Sequence, residues 1–298
     1  MGHRADHRRR RRTDVPGMSS AVIRVGFVGL GNIGKPMALR LASSDAIELT
    51  VYDVAPAPVV ELEQAGARAA SSVAELAAEV DVVCVMVRDD DQVREVLGEI
   101  LGVGGDGQTV VIHSTVGPDT PAQLEDTAGR HGVKVVDAPV SGGAMGAADG
   151  TLAIMVGGTD EAFAAARPAL DVMGSLVTHA GPIGSGTKLK LARNLMHFVA
   201  FTAATEAQRL AEAAGLDLVE LGKVVRHTDA ITGGPGAIMH RATTAPIAED
   251  DFWYGVFQHV AALGEKDLTF AIALADELDV DVPMAREALD RLGRGLGL

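Results

Sequence analysis

The sequence predicts an α/β protein, a doubly wound parallel sheet followed by an all-α C-terminal domain, with a long interdomain helix joining them. Three observations predict it. Short apolar, β-branched runs alternate with helix-period segments from residue 23 to about residue 179. A glycine-spaced turn follows the first of these runs directly. Past residue 183 the alternation stops and only helix-period patterns remain. The 298 residues suit about two domains of roughly 100–200 residues each.

Ile23–Val28 is short, β-branched and followed by glycine, which marks a buried strand. Asn32–Ser44 reads as a helix and Ile47–Tyr52 as a second strand. Val59–Ala65 is helical and Gly66 ends it. Ser72–Ala78 is a short helix with Ser71 or Ser72 as its cap. Val80–Val87 is almost wholly apolar, as a strand covered on both faces must be. A helix Asp90–Leu97, a strand Thr109–His113, a helix Asp119–His131 and a strand Val133–Ala138 follow. Leu152–Val156 and Leu176–His179 are strand candidates flanking a helix Glu161–Val172. From about Lys188 to Ala214 the pattern is helical without interruption, and 217–228, 258–278 and 283–292 are helical too. The expected boundaries are a basic tail at 1–20, a cofactor domain at 21–183 and an all-α domain at 184–298 that binds substrate and pairs subunits.

The formal net charge is −14, unevenly spread. Residues 1–18 carry +4, with an Arg8–Arg12 run, and the rest carries −18. An acidic body excludes a nucleic-acid partner, which needs a basic footprint. The arginine run reads as a nuclear or nucleic-acid tag, or as a transit peptide, for which it is short, contains Asp and shows no amphipathic repeat. A disordered tail, with Met18 as an alternative start, is the simpler expectation. The lone cysteine, Cys84, sits in an apolar strand and is expected to be a buried small hydrophobe. One thiol suits a reducing compartment and a cytoplasmic location. No apolar stretch is long enough for a membrane span.

Gly29-Leu30-Gly31-Asn32-Ile33-Gly34 is a G-x-G-x-x-G in the context the motif requires, after a strand and opening a helix. Gly29 serves the tight turn, Gly31 the approach of a pyrophosphate, and Gly34 close helix–strand packing. The helix N-terminus offers N–H groups to the phosphates. The sheet is thus of the Rossmann type. Asp53 ends the second strand, where a carboxylate accepts hydrogen bonds from ribose hydroxyls and repels an added phosphate, so NAD is expected over NADP. The same residue could instead cap the Ala55–Pro58 turn. Val87 and Arg88, at the end of the Val80–Val87 strand, are assigned to the same cofactor.

Two further segments carry chemistry. In Asp137–Gly143, Ser141 supplies a hydroxyl, and Gly142 and Gly143 supply accessible N–H groups that suit a small carboxylate. In Gly184–Asn194, Lys190 and Asn194 are four apart and share a helix face. A partly desolvated lysine there can exchange a proton with a substrate hydroxyl. Read alone, that lysine is more readily a solvated helix residue, and the glycine segment at least as readily a flexible loop.

Taken together, the chain resembles the β-hydroxyacid dehydrogenases, which include 3-hydroxyisobutyrate dehydrogenase, tartronate semialdehyde reductase and, more distantly, 6-phosphogluconate dehydrogenase. The resemblance rests on Phe27–Ala38, Ser114-Thr115, Asp137–Gly143, Gly150-Thr151-Leu152, Met155–Gly158, Gly184–Asn194 and Lys266-Asp267-Leu268, in that order. It implies that Lys190 is the general acid/base, that Asn194 orients the substrate, and that Ser141, Gly142 and Gly143 hold its carboxylate. It implies that Thr115 and Lys266 contact the dinucleotide. Lys188 is a competing lysine, but its six-residue offset from Asn194 puts it on another face. The implied reaction moves a hydride between NAD and a small 3-hydroxy acid and needs no metal. Relatives in this family often carry proline where Arg88 stands. Phe252, Trp253, Tyr254 and Phe257 either line a substrate pocket or pack helices, and His240 and Arg241 are further candidates to reach substrate. Two alternatives share the architecture: an imine reductase, which Lys190 disfavours, and a non-catalytic dinucleotide-binding protein, which needs neither Lys190 nor Asn194. The all-α domain predicts a homodimer or homotetramer.

Overall fold

The computed structural model describes residues 22–298, so the arginine run and Met18 lie outside the described residues. The chain divides into two compact units, one ending at Lys190 and one spanning Leu191–Leu298.

The first unit runs β1 (Ile23–Val28), α1 (Gly34–Ala42), β2 (Ile47–Tyr52), α2 (Pro56–Gln64), β3 (Arg68–Ala69), α3 (Val73–Ala77) and β4 (Val82–Val85). It continues with α4 (Asp90–Leu101), β5 (Thr109–Ile112), α5 (Thr120–Gly129), β6 (Lys134–Asp137), β7 (Val140–Ser141), α6 (Gly143–Asp149), β8 (Leu152–Gly157), α7 (Asp160–Met173) and β9 (Gly174–Gly181). The strands lie in the order β3-β2-β1-β4-β5-β6-β8-β7, with β9 beside β8. Chain order reverses between β1 and β4, the switch point where ligands bind at the strands' carboxyl ends.

The expected alternation is present, and β1 and β2 have the expected bounds. Ser72, rather than Ser71, caps α3 by accepting the Glu75 N–H. Parallel pairing is not universal, since β8 runs antiparallel to both β6 and β7. From β6 the chain turns straight into the two-residue β7, which pairs antiparallel with β8, and the seven-residue α6 returns it along the same edge instead of crossing the sheet. The sequence reading missed β7, α6 and the two-residue β3, all too short to show a period.

Alternation along β1 builds a core on each face. Val25 and Phe27 join Met37 and Leu41 of α1 and Leu170 of α7 on one side. Val28 joins Leu76 of α3, Val93 and Ile100 of α4, and Leu124 of α5 on the other. Cys84 is fully buried, and burial pushes its thiol up to about 12, so it packs as a hydrophobe.

His113, just past β5, is also fully buried. Its Nδ1 lies 2.9 Å from the Ala138 carbonyl and must donate to it, because a carbonyl only accepts. Burial lowers its pKa from 6.5 to about 4, against a smaller raising effect of that hydrogen bond. Above pH 6.5 the ring is neutral whether the chain is folded or not. As pH falls from 6.5 the unfolded chain takes up the proton first. Stability is therefore expected to decline between about pH 6.5 and 4, by about 3 kcal/mol in total. Urea midpoints across that range should fall less steeply in His113→Asn; equal slopes would discard the assignment.

The second unit contains most of α8 (Ser185–Ala213), followed by α9 (Leu218–Thr232), α10 (Phe252–Glu277) and α11 (Pro283–Leu296). Asp217 and Asp251 cap α9 and α10 through their carboxylates. The buried Glu206 of α8 accepts the Met284 and Ala285 N–H groups at the start of α11. Phe257 packs with Ile247, Ala261 and Leu296, and Trp253 and Tyr254 lie against them. His240 stacks on Trp253 at 5.1 Å between ring centroids, and Arg241 Nη2 donates to the Ala245 carbonyl at 2.5 Å. Trp253, Tyr254 and Phe257 thus pack within this unit, while Phe252 is exposed. No helix among the described residues is long and apolar enough to cross a membrane.

Candidate active site

The turn after β1 is built around Gly29, whose φ of +94° lies in the left-handed region. A Cβ there would stand 2.2 Å from the Met86 carbonyl oxygen. A Cβ on Gly34 would stand 2.0 Å from the Gly29 carbonyl oxygen, so α1 seats directly on the turn. Gly31 differs, because a Cβ there meets nothing within 4 Å. It faces open space at the start of α1, a helix without a side-chain cap and without an acidic residue in its first turn. Its N–H groups and positive dipole end are thus left for an anion.

Asp53 has two protein partners. Its Oδ2 accepts the Leu30 N–H at 2.6 Å, tying β2 to the glycine turn, and its Oδ1 accepts the Ala55 N–H at 2.7 Å. The carboxylate therefore caps its own turn and also braces the motif. A carboxylate has about four lone-pair directions, so it keeps acceptor capacity for hydroxyls.

A cleft of about 580 Å³ opens along this edge. Gly29, Gly31, Asn32, Ile33, Gly34, Asp53, Val87 and Arg88 line it, as the sequence reading expects. Leu30 does not; its side chain is in the core and only its N–H takes part. Glu95 and Glu99 of α4 line the cleft and were missed. Their i, i+4 spacing places them on one helix face, but only the tertiary structure shows which way that face points. These features fit a dinucleotide: a glycine turn that admits backbone approach, an uncapped helix end and a carboxylate at the second strand.

Val87 is held by Ser114, whose hydroxyl accepts the Val87 N–H at 2.9 Å and donates to the Val87 carbonyl at 2.8 Å. Asp90 accepts the Gly117 N–H and the Thr120 hydroxyl, which bounds the loop carrying the exposed Thr115. The Thr120 hydrogen bond is the main cause holding the Asp90 carboxyl below the usual range. Arg88 is largely exposed, with its Nε 3.7 Å from Asp89. Thr115 does not line the cleft. Lys266 stands on α10 in the second unit, 3.2 Å from Asp267.

The second cluster forms beyond β6. Gly142 has a φ of +137° and precedes α6 without a side-chain cap, and Gly142 and Gly143 are both exposed. Lys190 is buried at 8% exposure. Its Nζ donates to the Val140 carbonyl at 2.6 Å and to Ser141 Oγ at 2.8 Å. Residues fifty apart in sequence are thus brought together. Lys188 is exposed. Asn194 lies one helical turn past Lys190, in the second unit, where its Oδ1 accepts from Arg193 at 3.3 Å. The buried Asp137, which no sequence pattern singles out within its motif, accepts the Gly184 N–H at 2.7 Å and the Thr187 N–H at 2.6 Å. No group of three or more metal-ligating side chains forms among the described residues.

Comparison with known proteins agrees with this geometry. Residues 24–181 match the model of the NAD binding domain of 6-phosphogluconate dehydrogenase. Residues 184–294 match that of the NAD-binding region of NADP-dependent 3-hydroxyisobutyrate dehydrogenase. An uncharacterized oxidoreductase from Mycobacterium tuberculosis is 49% identical over 278 residues, covering 92% of this chain and 94% of that one. The NAD-dependent L-serine dehydrogenase of Pseudomonas aeruginosa is 34% identical, covering 89% of each. The crystal structure of an oxidoreductase from Mycobacterium avium 104 superposes with a TM-score of 0.90 at 48% identity, covering 92% of this chain and 99% of that one. With both domains matched and the glycine cleft formed, the chain belongs to the β-hydroxyacid dehydrogenase family, and its N-terminal domain is an NAD-binding one.

Proposed function

We propose that this protein is an NAD-dependent dehydrogenase of a small 3-hydroxy acid similar in size to 3-hydroxyisobutyrate. The observation that carries this reading is the buried Lys190 amino group, whose Nζ donates to the Val140 carbonyl and the Ser141 hydroxyl and, in its neutral form, keeps a lone pair to accept a proton. In this reading Ser141, Gly142 and Gly143 bind the substrate carboxylate. Lys190 Nζ takes the β-hydroxyl proton during oxidation and returns it during reduction. Asn194 orients the substrate, and Thr115 and Lys266 contact the dinucleotide. Bound NAD supplies the acceptor for the hydride that leaves the hydroxyl-bearing carbon, so the product is a β-keto acid or semialdehyde. Residues 21–183 then serve the cofactor, and 184–298 the substrate and subunit pairing.

The preference for NAD over NADP is supported by the carboxylates of Asp53, Glu95 and Glu99 on the cleft wall, which disfavour an added phosphate. Purified protein assayed with NAD and with NADP on a panel of short 3-hydroxy acids should oxidise at least one, with higher kcat/KM for NAD. Turnover of none would overturn the reading, and a preference for NADP would overturn the cofactor assignment. The partner chemistry is a small anionic acid, with a second copy of the chain as the protein partner. Exposed Leu195, Phe198 and Phe201 of α8 and Phe252 and Phe270 of α10 support the latter. Sedimentation at micromolar concentration should give a dimer or tetramer, and a monomer would refute it.

A further inference from the structure

The Lys190–Ser141 contact joins a helix to a loop, and both lead back to one side chain. Within the first unit α8 contributes only Ser185–Lys190, little more than one turn. Asp137 grips that turn, with Oδ1 on the Gly184 N–H and Oδ2 on the Thr187 N–H. It is fully buried, and a buried carboxylate persists only where hydrogen bonds and a complementary charge replace water. The start of α8 supplies both, its first N–H groups and the positive dipole end.

The seat is backbone against backbone. A Cβ on Gly157 of β8 would stand 2.3 Å from Asp137 Oδ1 and 2.8 Å from the Ser185 nitrogen. A Cβ on Gly186 would stand 2.2 Å from the Met155 carbonyl oxygen. No side chain fits between the helix turn and the strands, so the height of α8 above the sheet is set by these glycines and its register by Asp137. Lys190 follows Thr187 by three residues, about 4.5 Å along the helix axis. Val140 and Ser141 follow Asp137 by three and four residues. Both partners of the lysine contact are therefore referenced to one carboxylate.

We infer that Asp137 is the positioning residue of this site: it holds the first turn of α8 so that Lys190 Nζ meets Val140 and Ser141. This rests on the dehydrogenase reading for its catalytic consequence, but not for its geometric one. Asparagine keeps the volume but offers one oxygen, and turns an N–H group towards the second donor.

In Asp137→Asn, kcat for the hydroxy acid is expected to fall by about tenfold to a hundredfold. NAD affinity should stay unchanged, and the pH profile of kcat should move. A general loss of packing would not produce that split. Lys190 should also acylate several-fold faster with an amine-directed reagent, read by mass spectrometry without any substrate. Should Asp137→Asn fail to fold, Gly157→Ala presses on the same seat with the carboxylate intact and should give the same pattern. In the wild-type protein the Gly184 and Thr187 amides should exchange slowly with deuterium. Wild-type kcat, pH profile and Lys190 labelling in a folded Asp137→Asn would overturn the inference, as would unprotected Gly184 and Thr187 amides. If the wild type oxidises no hydroxy acid, the dehydrogenase reading fails, while labelling and exchange still decide the role of Asp137.

Discussion

Lys190→Ala is expected to lower kcat for hydroxy-acid oxidation by about 10²–10⁴, the usual contribution of a positioned acid/base group. The substitution removes the only side chain that meets both Val140 and Ser141 in the hydrogen bonds described above. NAD affinity should hold, because the glycine cleft is lined by other residues. The thermal midpoint should fall modestly, since the Val140 carbonyl and Ser141 hydroxyl each lose a charge-assisted donor, worth about 1–3 kcal/mol apiece at most. Lys190→Arg sharpens the test. A guanidinium keeps the charge and the donors but stays protonated at any working pH, so it can bind but cannot accept a proton. Steady-state kinetics should show Arg and Ala variants both crippled in kcat, with KM for the acid rising more in the Ala variant. Activity near wild type in either would end the assignment of Lys190.

Gly29→Ala and Gly31→Ala are expected to fail in different ways. At Gly29 the added carbon meets the Met86 carbonyl at 2.2 Å on a backbone with φ +94°. Neither can relax without parting β1 from β4 at the switch point, so stability should fall by about 1–3 kcal/mol and dinucleotide binding with it. At Gly31 the carbon enters open space. Folding should be untouched, yet the space it enters is where a pyrophosphate approaches the helix end. NAD affinity should drop by about tenfold or more, roughly 1.4 kcal/mol, with an unchanged thermal midpoint. Calorimetric titration beside a thermal melt separates the two outcomes. Equal melting losses in both variants would show that the cradle is not where the turn places it.

The elements legible in the sequence are those whose burial is decided locally. The β-branched run Ile23–Val28 reads as a covered strand, and the glycine string directly after it as a tight turn onto a helix. Asp53 was legible as a carboxylate at a strand end, but its bond to the Leu30 N–H was not, because nothing in residues 30 or 53 alone brings them together. Short elements were the other loss. The two-residue β7 exists because β8 folds back antiparallel beside it, a pairing with no signature in Val140 or Ser141 themselves.

For this protein the sequence alone determined the alternation of strands and helices and the glycine turn after the first strand, since each depends on neighbours a few residues away, and the order of its motifs carried the family resemblance. The tertiary structure decided which lysine is buried against Ser141, which carboxylates wall the cofactor cleft, and that Asp137 reaches the start of α8. The lysine and Asp137 contacts join groups 47 to 50 residues apart, brought within hydrogen-bond distance by the fold. A hydrogen bond is selected by distance and direction in space, and local periodicity carries neither.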